Sequence, residues 1–361
     1  MINQEYLQDK EIICVGFSPW KRPTIKLFLN ENNITFVKEF SQKLLKRNSL
    51  VILWASNKTL PQENTLIKEN IPYLYCEDGF IRSSGLGIKL FLPGSLSFSR
   101  KSIHFDSTKS TELEGLLNET ILEKNDIERI KNIIQFIKNK NISKYGKIGD
   151  DHFPKKTNSN KNILIIGQVE NDASLEYGSP LMKSNRELLQ RVIDNNDECN
   201  LYYKPHPDVV SKLRLGEVSP DFLKREGIIE LRNCSLSNAI KNCDEVHVLS
   251  SQSGIDALIM NKKVVCHGSP FYSGWGLTHD TIKIERRTRT LSLEELLFIS
   301  FIKYPTYLNL NTKKICEIED ILNLMTDNDF QWPHAPHWMQ FLVKFKREYL
   351  RLKNGYLRKI R

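Results

Sequence analysis

The sequence predicts an α/β protein with two Rossmann-like domains. Two series of short apolar runs alternate with helix-compatible stretches, one series before residue 150 and one after residue 162. Polar clusters follow three runs of the second series, as expected where parallel strands end at a ligand site. A length of 361 residues and a hydrophobic content of 40% are enough for two ordinary cores.

The first series ends in a polar loop that has the composition of a binding site. Its last strand-like run leads into EDGFIRSSGLG (77–87), which contains Glu77, Asp78, Arg82 and three glycines. Glycine-rich polar loops at strand ends are flexible and often functional. The predicted strands are 12–17, 34–37, 50–55 and 71–76, and 24–30 is compatible with helix.

The second series contains three runs that read as buried parallel strands, each followed by a polar cluster. Ligands in such sheets sit beyond the carboxyl ends of the strands, so the three clusters should converge on one site. The runs are 163–166, 201–203 and 246–249, and the clusters are GQVENDAS (167–174), KPHPD (204–208) and SSQSGIDAL (250–258).

The domain boundaries follow from composition. A helical pattern at 121–145 and a stretch of polar, turn-forming residues separate the two series. A further helix is predicted at 291–303, after a loop at 268–280 that is rich in Gly and aromatic residues. The predicted parts are a first domain at 1–150, a linker at 151–162, a second domain at 163–325 and a tail at 326–361.

Each polar cluster also has a purely structural interpretation. Asp172 is well placed to cap a helix, because a carboxylate accepts the unpaired amide hydrogens at a helix start. The two prolines of KPHPD make a rigid turn, and residues 250–254 resemble an ordinary capped helix start. Tyr272 and Trp275 are either packed loop aromatics or a surface for base stacking.

The formal charge of +9 is concentrated in the tail. Residues 335–361 hold eight Lys or Arg and one acid, Glu348, so the rest of the chain is nearly neutral and does not resemble a nucleic-acid-binding protein. Apolar residues recur at helical spacing beside these cations. The stripe is predicted either to dock on the protein's own core or to lie on an anionic membrane. It consists of Trp338, Leu342, Phe345, Tyr349, Leu352 and Tyr356.

Targeting and redox features are weak. The first residues, MINQEYLQDKEII, lack a signal-peptide pattern, and no apolar run is long enough to span a bilayer. The expected location is therefore cytoplasmic, with peripheral attachment to the inner membrane if the tail binds lipid. Seven cysteines without a CxxC spacing predict reduced core thiols rather than a zinc site or disulfides.

The ordered series of motifs resembles a family. EDGFIRSSGLG, GQVENDAS, YKPHPD and SSQSGIDALIMNKKVVCHGSPFYSGWGLTHD, followed by RRTRTLSLEEL, are similar to the capsule-synthesis β-Kdo glycosyltransferases of Gram-negative bacteria, the KpsC/LipA type. The resemblance covers about residues 12–325. Members of the KpsC type often carry two modules in tandem, whereas this chain has length for one.

The resemblance implies a GT-B fold, in which two Rossmann-like domains face each other across a crevice. The first domain would bind the acceptor and the second would bind the donor, CMP-β-Kdo. It further implies retention of the β configuration, no cofactor and no essential metal.

The catalytic candidates follow from this resemblance and from the chemistry of the reaction that it implies. A Gln-x-x-x-Asp element maps onto Gln168 and Asp172, and a His-Pro element maps onto His206 and Pro207. Retention is most simply reached through two inversions with an enzyme carboxylate as first nucleophile, which makes Asp172 the candidate. Glu77 is the candidate general base.

The donor-binding candidates follow from the charges of CMP-Kdo. A buried sugar carboxylate needs a charged partner, for which Lys204 and Arg82 are candidates. His206 is expected to donate to the departing phosphate, together with a small-residue helix start. At position 256 the family pattern has Glu, so Asp256 departs from it while keeping the charge. The helix-start candidates are Ser250, Ser251, Ser253, Gly254 and Asp256.

The sequence is also compatible with two other functions. One is a different nucleotide-sugar enzyme on the same fold, such as an inverting sialyltransferase-like protein or a UDP-sugar epimerase. The other is a noncatalytic partner in a capsule or lipopolysaccharide assembly complex. The expected partners are CMP-Kdo, a lipid- or glycan-linked acceptor, an anionic membrane surface and capsule-assembly proteins.

Overall fold

The computed structural model describes residues 9–30, 33–57, 60–144, 149–156, 160–336 and 338–341, together with Leu7, Phe345 and Glu348. The strands are β1 (Glu11–Val15), β2 (Ile34–Val37), β3 (Ser49–Trp54), β4 (Tyr73–Asp78), β5 (Ser95–Ser99), β6 (Asn162–Ile166), β7 (Asn200–Lys204), β8 (Ile229–Glu230), β9 (Glu245–Val248), β10 (Lys263–Cys266), β11 (His279–Asp280), β12 (Pro305–Asn309) and β13 (Lys314–Cys316).

Helices connect most of these strands, as expected for an α/β protein. The α-helices are α1 (Arg22–Leu29), α2 (Leu60–Lys68), α3 (Glu112–Glu119), α4 (Lys124–Lys140), α5 (Ala173–Gly178), α6 (Asn185–Asp194), α7 (Pro207–Val210), α8 (Pro220–Arg225), α9 (Leu236–Lys241), α10 (Ser253–Ile259), α11 (Leu293–Phe298) and α12 (Ile318–Thr326). A π-helix at Ile299–Lys303 follows α11.

The described chain forms two compact units, each with its own sheet. The first unit comprises the described parts of 1–133, 144–146 and 294–336, and the second those of 134–143, 147–293 and 337–361. The first sheet has the order β13-β12-β5-β4-β3-β1-β2, and the second has the order β11-β10-β9-β6-β7-β8. Two Rossmann-like α/β units are therefore confirmed.

The first sheet is mixed. Strands β1 to β4 pair in parallel, while β5 runs antiparallel to β4, and β12 runs antiparallel to both β5 and β13. The central strand β3, SLVILW, is buried along its whole length because it lies between two strands and carries helices on the sheet faces. On one face, Val51 and Leu53 join Leu66 of α2 in a core cluster.

The second sheet is wholly parallel. Its central strand β6 pairs with β7 on one side and β9 on the other, so it is buried and reads as a continuous apolar run. Helix α6 begins with a capping box between Ser184 and Glu187 and packs Leu188, Leu189 and Val192 on this sheet.

The two units differ from the predicted domains on both sides of the second domain. The prediction places residues 1–150 in the first domain and 163–325 in the second, whereas the described residues of 134–143 and 149–150 belong to the second unit and the chain from Glu294 to Pro336 belongs to the first. The physical reason for the second difference is strand pairing, because β12 forms a ladder with β5 and β13 extends it. Described residues of the predicted linker contain no helix or strand until β6 begins at Asn162.

The predicted tail lies mostly outside the described residues. Leu342, Tyr349, Leu352 and Tyr356 of the stripe do so, as do the basic residues 344, 346, 347, 351, 353, 358, 359 and 361. The described positions 338–341, 345 and 348 are helical, but the predicted amphipathic helix is not confirmed by these positions alone.

All seven cysteines are free thiols, and five of them are buried. Within the described residues, no helix combines the length and the apolar character needed to cross a bilayer.

Candidate active site

Three strand ends of the second unit bring most of the candidate residues together. Because β6, β7 and β9 are parallel neighbours, their carboxyl ends lie on one edge of the sheet. Gln168 and Asp172 follow β6, His206 follows β7, and Ser250 follows β9. Lys204 is the last residue of β7 rather than a loop residue.

A pair of hydrogen bonds joins the ends of β6 and β9. The Gln168 side chain accepts from the Ser250 amide at 2.8 Å through Oε1 and donates to Ser250 Oγ at 3.1 Å through Nε2. Gln168 is buried and Ser250 is half-buried, so water has limited access to the two bonds. Gln168 therefore fixes the backbone at the exit of β9.

Asp172 is the N-cap of α5, as its structural interpretation predicts. Its Oδ1 accepts from the Ser174 amide at 3.0 Å and from Ser174 Oγ at 2.7 Å. Its Oδ2 lies 3.5 Å from Nη2 of Arg214, and the two side chains are 41% and 37% exposed. Capping uses one carboxylate oxygen and leaves the other beside a cation and within reach of solvent.

Two further residues organise this edge and were missed from the sequence. Ser174 donates its amide and hydroxyl hydrogens to Asp172, and its carbonyl accepts from Ser250 Oγ at 2.8 Å, which links Asp172 to Ser250. The fully buried Asn185 accepts from the Gln168 amide and donates to the Gln168 carbonyl, both at 2.8 Å. Ser174 is the last residue of the GQVENDAS motif, but Asn185 is 17 residues beyond Gln168 and lies in no motif.

His206 is the N-cap of the short helix α7. Its Nδ1 accepts from the Asp208 amide at 3.1 Å, and Pro207 occupies the first helical turn, where it needs no donor. Since Nδ1 is an acceptor, the proton of the neutral ring lies on Nε2. The turn therefore fixes the tautomer in which His206 is a hydrogen-bond donor through Nε2.

Lys204 makes main-chain contacts. Its ammonium donates to the carbonyls of Leu231 and Arg232 at 3.0 and 3.3 Å. Burial lowers the pKa of Lys204 below its ordinary value.

The start of α10 is closely packed. Ser251 Oγ accepts from the Ser253 amide at 3.2 Å and donates to Ser253 Oγ at 3.1 Å. The fully buried Tyr272 donates its hydroxyl hydrogen to the Ser251 carbonyl, and a Cβ at Gly254 would lie 2.1 Å from the Tyr272 oxygen. Asp256 is in the first turn of α10.

The loop aromatics are packed. Trp275 is fully buried like Tyr272, and its Nε1 donates to the Phe271 carbonyl at 2.9 Å. Tyr272 and Trp275 are therefore packed loop aromatics rather than an exposed surface for base stacking.

Glu77 and Arg82 belong to the first unit. Strand β4 continues through Asp78, and there Glu77 pairs with Ser97 and Asp78 pairs with Leu96 of β5. The prediction that these two acids lie in a loop is therefore wrong. Glu77 accepts from the Ser56 amide at 3.0 Å and from the Asp78 amide at 3.1 Å. Burial, and then the negative charge of Asp78, raise the pKa of Glu77 to about 6.

Asp78 holds two buried cations. Its carboxylate oxygens lie 2.9 Å from Lys21 Nζ and 2.8 Å from Arg82 Nε. Burial opposes ionisation of Asp78, but Arg82 and Lys21 outweigh it and hold the pKa of this carboxyl well below its usual range. Arg82 is completely buried, and its Nη2 has no hydrogen-bond partner among the described residues.

The structure therefore gathers nine of the predicted side chains and Gly254 in the second unit. They are Gln168, Asp172, Lys204, His206, Pro207, Ser250, Ser251, Ser253, Gly254 and Asp256. No group of three or more His, Cys, Asp or Glu side chains in the described ranges is placed to share a metal ion.

Comparison with solved structures supports the fold. The chain is similar to "Thermosulfurimonas dismutans KpsC, beta Kdo 2,4 transferase", with a TM-score of 0.76, 27% identity, and coverage of 87% of this chain and 98% of that one. It is also similar to "Thermosulfurimonas dismutans KpsC, beta Kdo 2,7 transferase", with a TM-score of 0.68, 32% identity, and coverage of 87% and 99%. These matches confirm the GT-B type of two-sheet fold.

Proteins with similar sequences point to the same family. The capsule polysaccharide modification protein LipA of Neisseria meningitidis serogroup A is 35% identical over 87% of this chain, which spans 45% of LipA. The lipopolysaccharide-processing protein LpsZ of Rhizobium meliloti is 32% identical over 83% of this chain and 70% of LpsZ. The family described as "Capsule polysaccharide biosynthesis protein" matches residues 49–310. The motif resemblance is confirmed, and the chain belongs to this capsule polysaccharide biosynthesis family.

Proposed function

We propose that the protein is a retaining β-Kdo glycosyltransferase that moves Kdo from CMP-β-Kdo to a lipid- or glycan-linked acceptor. The proposal rests on the position of Asp172. Its Oδ1 caps α5, while its Oδ2 takes no part in the cap and lies at the same edge of the sheet as His206 and Ser250. Similarity to two KpsC modules, named as Kdo transferases of different linkage, supports the reaction class and leaves the linkage to experiment.

The first step is formation of a covalent intermediate. Asp172 Oδ2 forms a bond to the anomeric carbon, C2, of Kdo, while the bond from C2 to the phosphate oxygen breaks and its electron pair leaves with CMP. His206 donates through Nε2 to the departing phosphate, where negative charge develops. The amides and hydroxyls of Ser250, Ser251 and Ser253, with Gly254 and Asp256 in the same segment, complete our proposed donor site.

The second step is transfer to the acceptor. The acceptor hydroxyl attacks C2 from the opposite face, the bond from C2 to Asp172 breaks, and the β configuration is restored. Glu77 is our proposed acceptor of the hydroxyl proton, a role suited to a carboxyl whose pKa is raised to about 6 by burial. Neither step requires a metal ion or a cofactor, so we expect full activity in EDTA.

Product analysis tests this function. Purified protein is incubated with CMP-Kdo generated in situ and a panel of Kdo-terminated lipid and glycan acceptors, and the linkage is determined by NMR. A β-linked product supports the proposal. An α-linked product indicates an inverting transferase, and an absence of transfer to every acceptor, with no hydrolysis of the donor, indicates a noncatalytic assembly partner.

A further inference from the structure

Among the described residues, Arg214 is the cation that forms an ion pair with the candidate nucleophile, Asp172. It lies between α7 and α8, and its Nη2 is 3.5 Å from Asp172 Oδ2 and 3.4 Å from Asn171 Oδ1. Charge-assisted hydrogen bonds are usually about 2.7–2.9 Å long, so neither contact is tight. Both come from one nitrogen, and the Nε and Nη1 groups of Arg214 make no side-chain hydrogen bond to the part of the chain that the structure describes.

The proposed donor places a special demand on this position. In a 2-keto sugar acid the carboxylate is attached to C2, the carbon that the nucleophile attacks. The Asp172 carboxylate must therefore approach a second carboxylate within a few bond lengths, and two like charges at that distance repel each other. A guanidinium that contacts both groups offsets this repulsion and can bind a carboxylate through two parallel N–H donors.

The other candidate cations are engaged elsewhere. The Lys204 ammonium donates to two main-chain carbonyls, those of Leu231 and Arg232. Arg82 belongs to the first unit, where its Nε pairs with Asp78 at 2.8 Å. Among the described residues, the ion pair that Asp172 forms is with Arg214, and the Arg214 side chain is 37% exposed, so a ligand can reach it.

We infer that Arg214 binds the carboxylate of the donor sugar beside Asp172 and selects sugars that carry a carboxylate on the reacting carbon. This inference rests on the proposed function and names the substrate group that the site recognises. Arg214 transfers no proton, and its role is to bind and position the sugar.

Separate measurement of nucleotide and sugar recognition tests the inference. The affinity for CMP, which lacks the sugar carboxylate, is measured by calorimetry, and KM for CMP-Kdo and kcat are measured by transfer. Arg214→Gln should raise the donor KM at least tenfold and change the CMP Kd less than twofold. Arg214→Lys should fall between wild type and Arg214→Gln, because an ammonium keeps the charge but loses bidentate binding. Arg225→Gln is the matched control, since Arg225 is 69% exposed, pairs with Glu226 and should be silent.

Three results overturn the inference. Equal losses of affinity for CMP and for the donor would show that Arg214 binds the nucleotide phosphate. A fall in kcat with an unchanged KM would show that Arg214 acts on Asp172 and does not bind the donor. An unchanged Kd, KM and kcat would show that Arg214 forms only a surface ion pair. A wild-type protein that neither binds nor consumes CMP-Kdo would instead refute the proposed function while Arg214 is intact, so the two failures are distinguishable.

Discussion

The two oxygens of Asp172 have separable roles. Oδ1 caps α5 through Ser174, and Oδ2 is the atom proposed to attack the sugar. Asn and Asp are about equally good N-caps, so an Asn at this position preserves the helix start while removing the nucleophile. Folding and chemistry at this residue can therefore be tested independently.

His206 allows a similar separation. Replacement by Ala removes both the cap on Asp208 and the distal N–H, whereas replacement by Asn keeps a side-chain oxygen for the cap. Both His206→Ala and His206→Asn should weaken CMP binding about tenfold, about 1.4 kcal/mol, and slow transfer, because both lack the Nε2 donor. Calorimetric titration with CMP measures the affinity. Wild-type affinity and rate in His206→Asn would reduce the His-Pro segment to a structural turn.

Glu77 predicts a pH dependence. A general base must be ionised, so the transfer rate should rise with pH through about 6, the value to which burial raises the pKa of Glu77. Glu77→Gln should lower the rate and abolish this limb of the pH–rate profile. A limb near pH 6 that persists in Glu77→Gln would assign it to another group.

The same shift has the opposite sign for stability. The folded protein binds the Glu77 proton more tightly than the unfolded chain does, because the pKa of Glu77 is about 6 when folded and has its ordinary value of 4.5 when unfolded. The stabilisation from Glu77 is therefore full below about 4.5 and is lost as the pH rises through about 6. Thermal melts of Glu77→Gln should gain stability relative to wild type over this interval.

At the scale of elements, the central strands could be predicted because burial on both faces leaves long apolar runs. Strand 34–37 was predicted to the residue, and β6, β7 and β9 lie within one residue of prediction at each end. The end of β4 was not predictable, since Glu77 and Asp78 are polar yet pair with β5. Pairing of β12 with β5 joins segments about 200 residues apart and leaves no local trace.

The candidate site was also only partly predictable from the sequence. The motifs identify the residues at the strand ends, but they do not identify the side chains that hydrogen-bond to those residues. Arg214 and Asn185 reach the site from segments 42 and 17 residues away from their contacts Asp172 and Gln168, by routes that only the folded chain defines.

Helix α10 depends on a glycine for its packing. A Cβ at Gly254 would lie 2.1 Å from Tyr272 Oη and 2.6 Å from Tyr272 Cζ, and Tyr272 is fully buried, so it has little room to move. Gly254→Ala should destabilise the protein by about 1–3 kcal/mol. Gly115 in α3 is the control, because nothing lies within 4 Å of its added Cβ, and Gly115→Ala should stabilise by about 0.5–1 kcal/mol. Denaturant unfolding distinguishes the two, and equal effects would contradict the packing account.

At the scale of the whole molecule, the C-terminal segment carries an exposed apolar face. Trp338, Phe341 and Phe345 are 60%, 68% and 74% exposed and fall at positions three and four residues apart, one helical face. Cationic residues surround them in the sequence. We propose that this segment attaches the protein to an anionic membrane surface.

Truncation tests the attachment. Ala335 is buried and its amide donates a hydrogen bond to the Leu90 carbonyl, so the truncation should begin after residue 336. Deleting 337–361 should release the protein from anionic vesicles, leave the melting temperature unchanged and spare transfer to a soluble acceptor, and binding of the full chain should weaken as salt rises. A sharply lower melting temperature or an insoluble product would show that the stripe covers core surface.

Direct detection of the covalent intermediate tests whether Asp172 is the nucleophile. Wild-type protein and Asp172→Asn are mixed with CMP-Kdo without acceptor, quenched, and measured by intact mass and peptide mapping. We expect the added mass of one Kdo residue on Asp172 of the wild type and none on the variant. The two proteins should have equal melting temperatures, and the variant should transfer Kdo at less than about a tenth of the wild-type rate, a loss of more than about 1.4 kcal/mol. An adduct on another residue, or a variant that keeps more than that tenth, would contradict this role of Asp172.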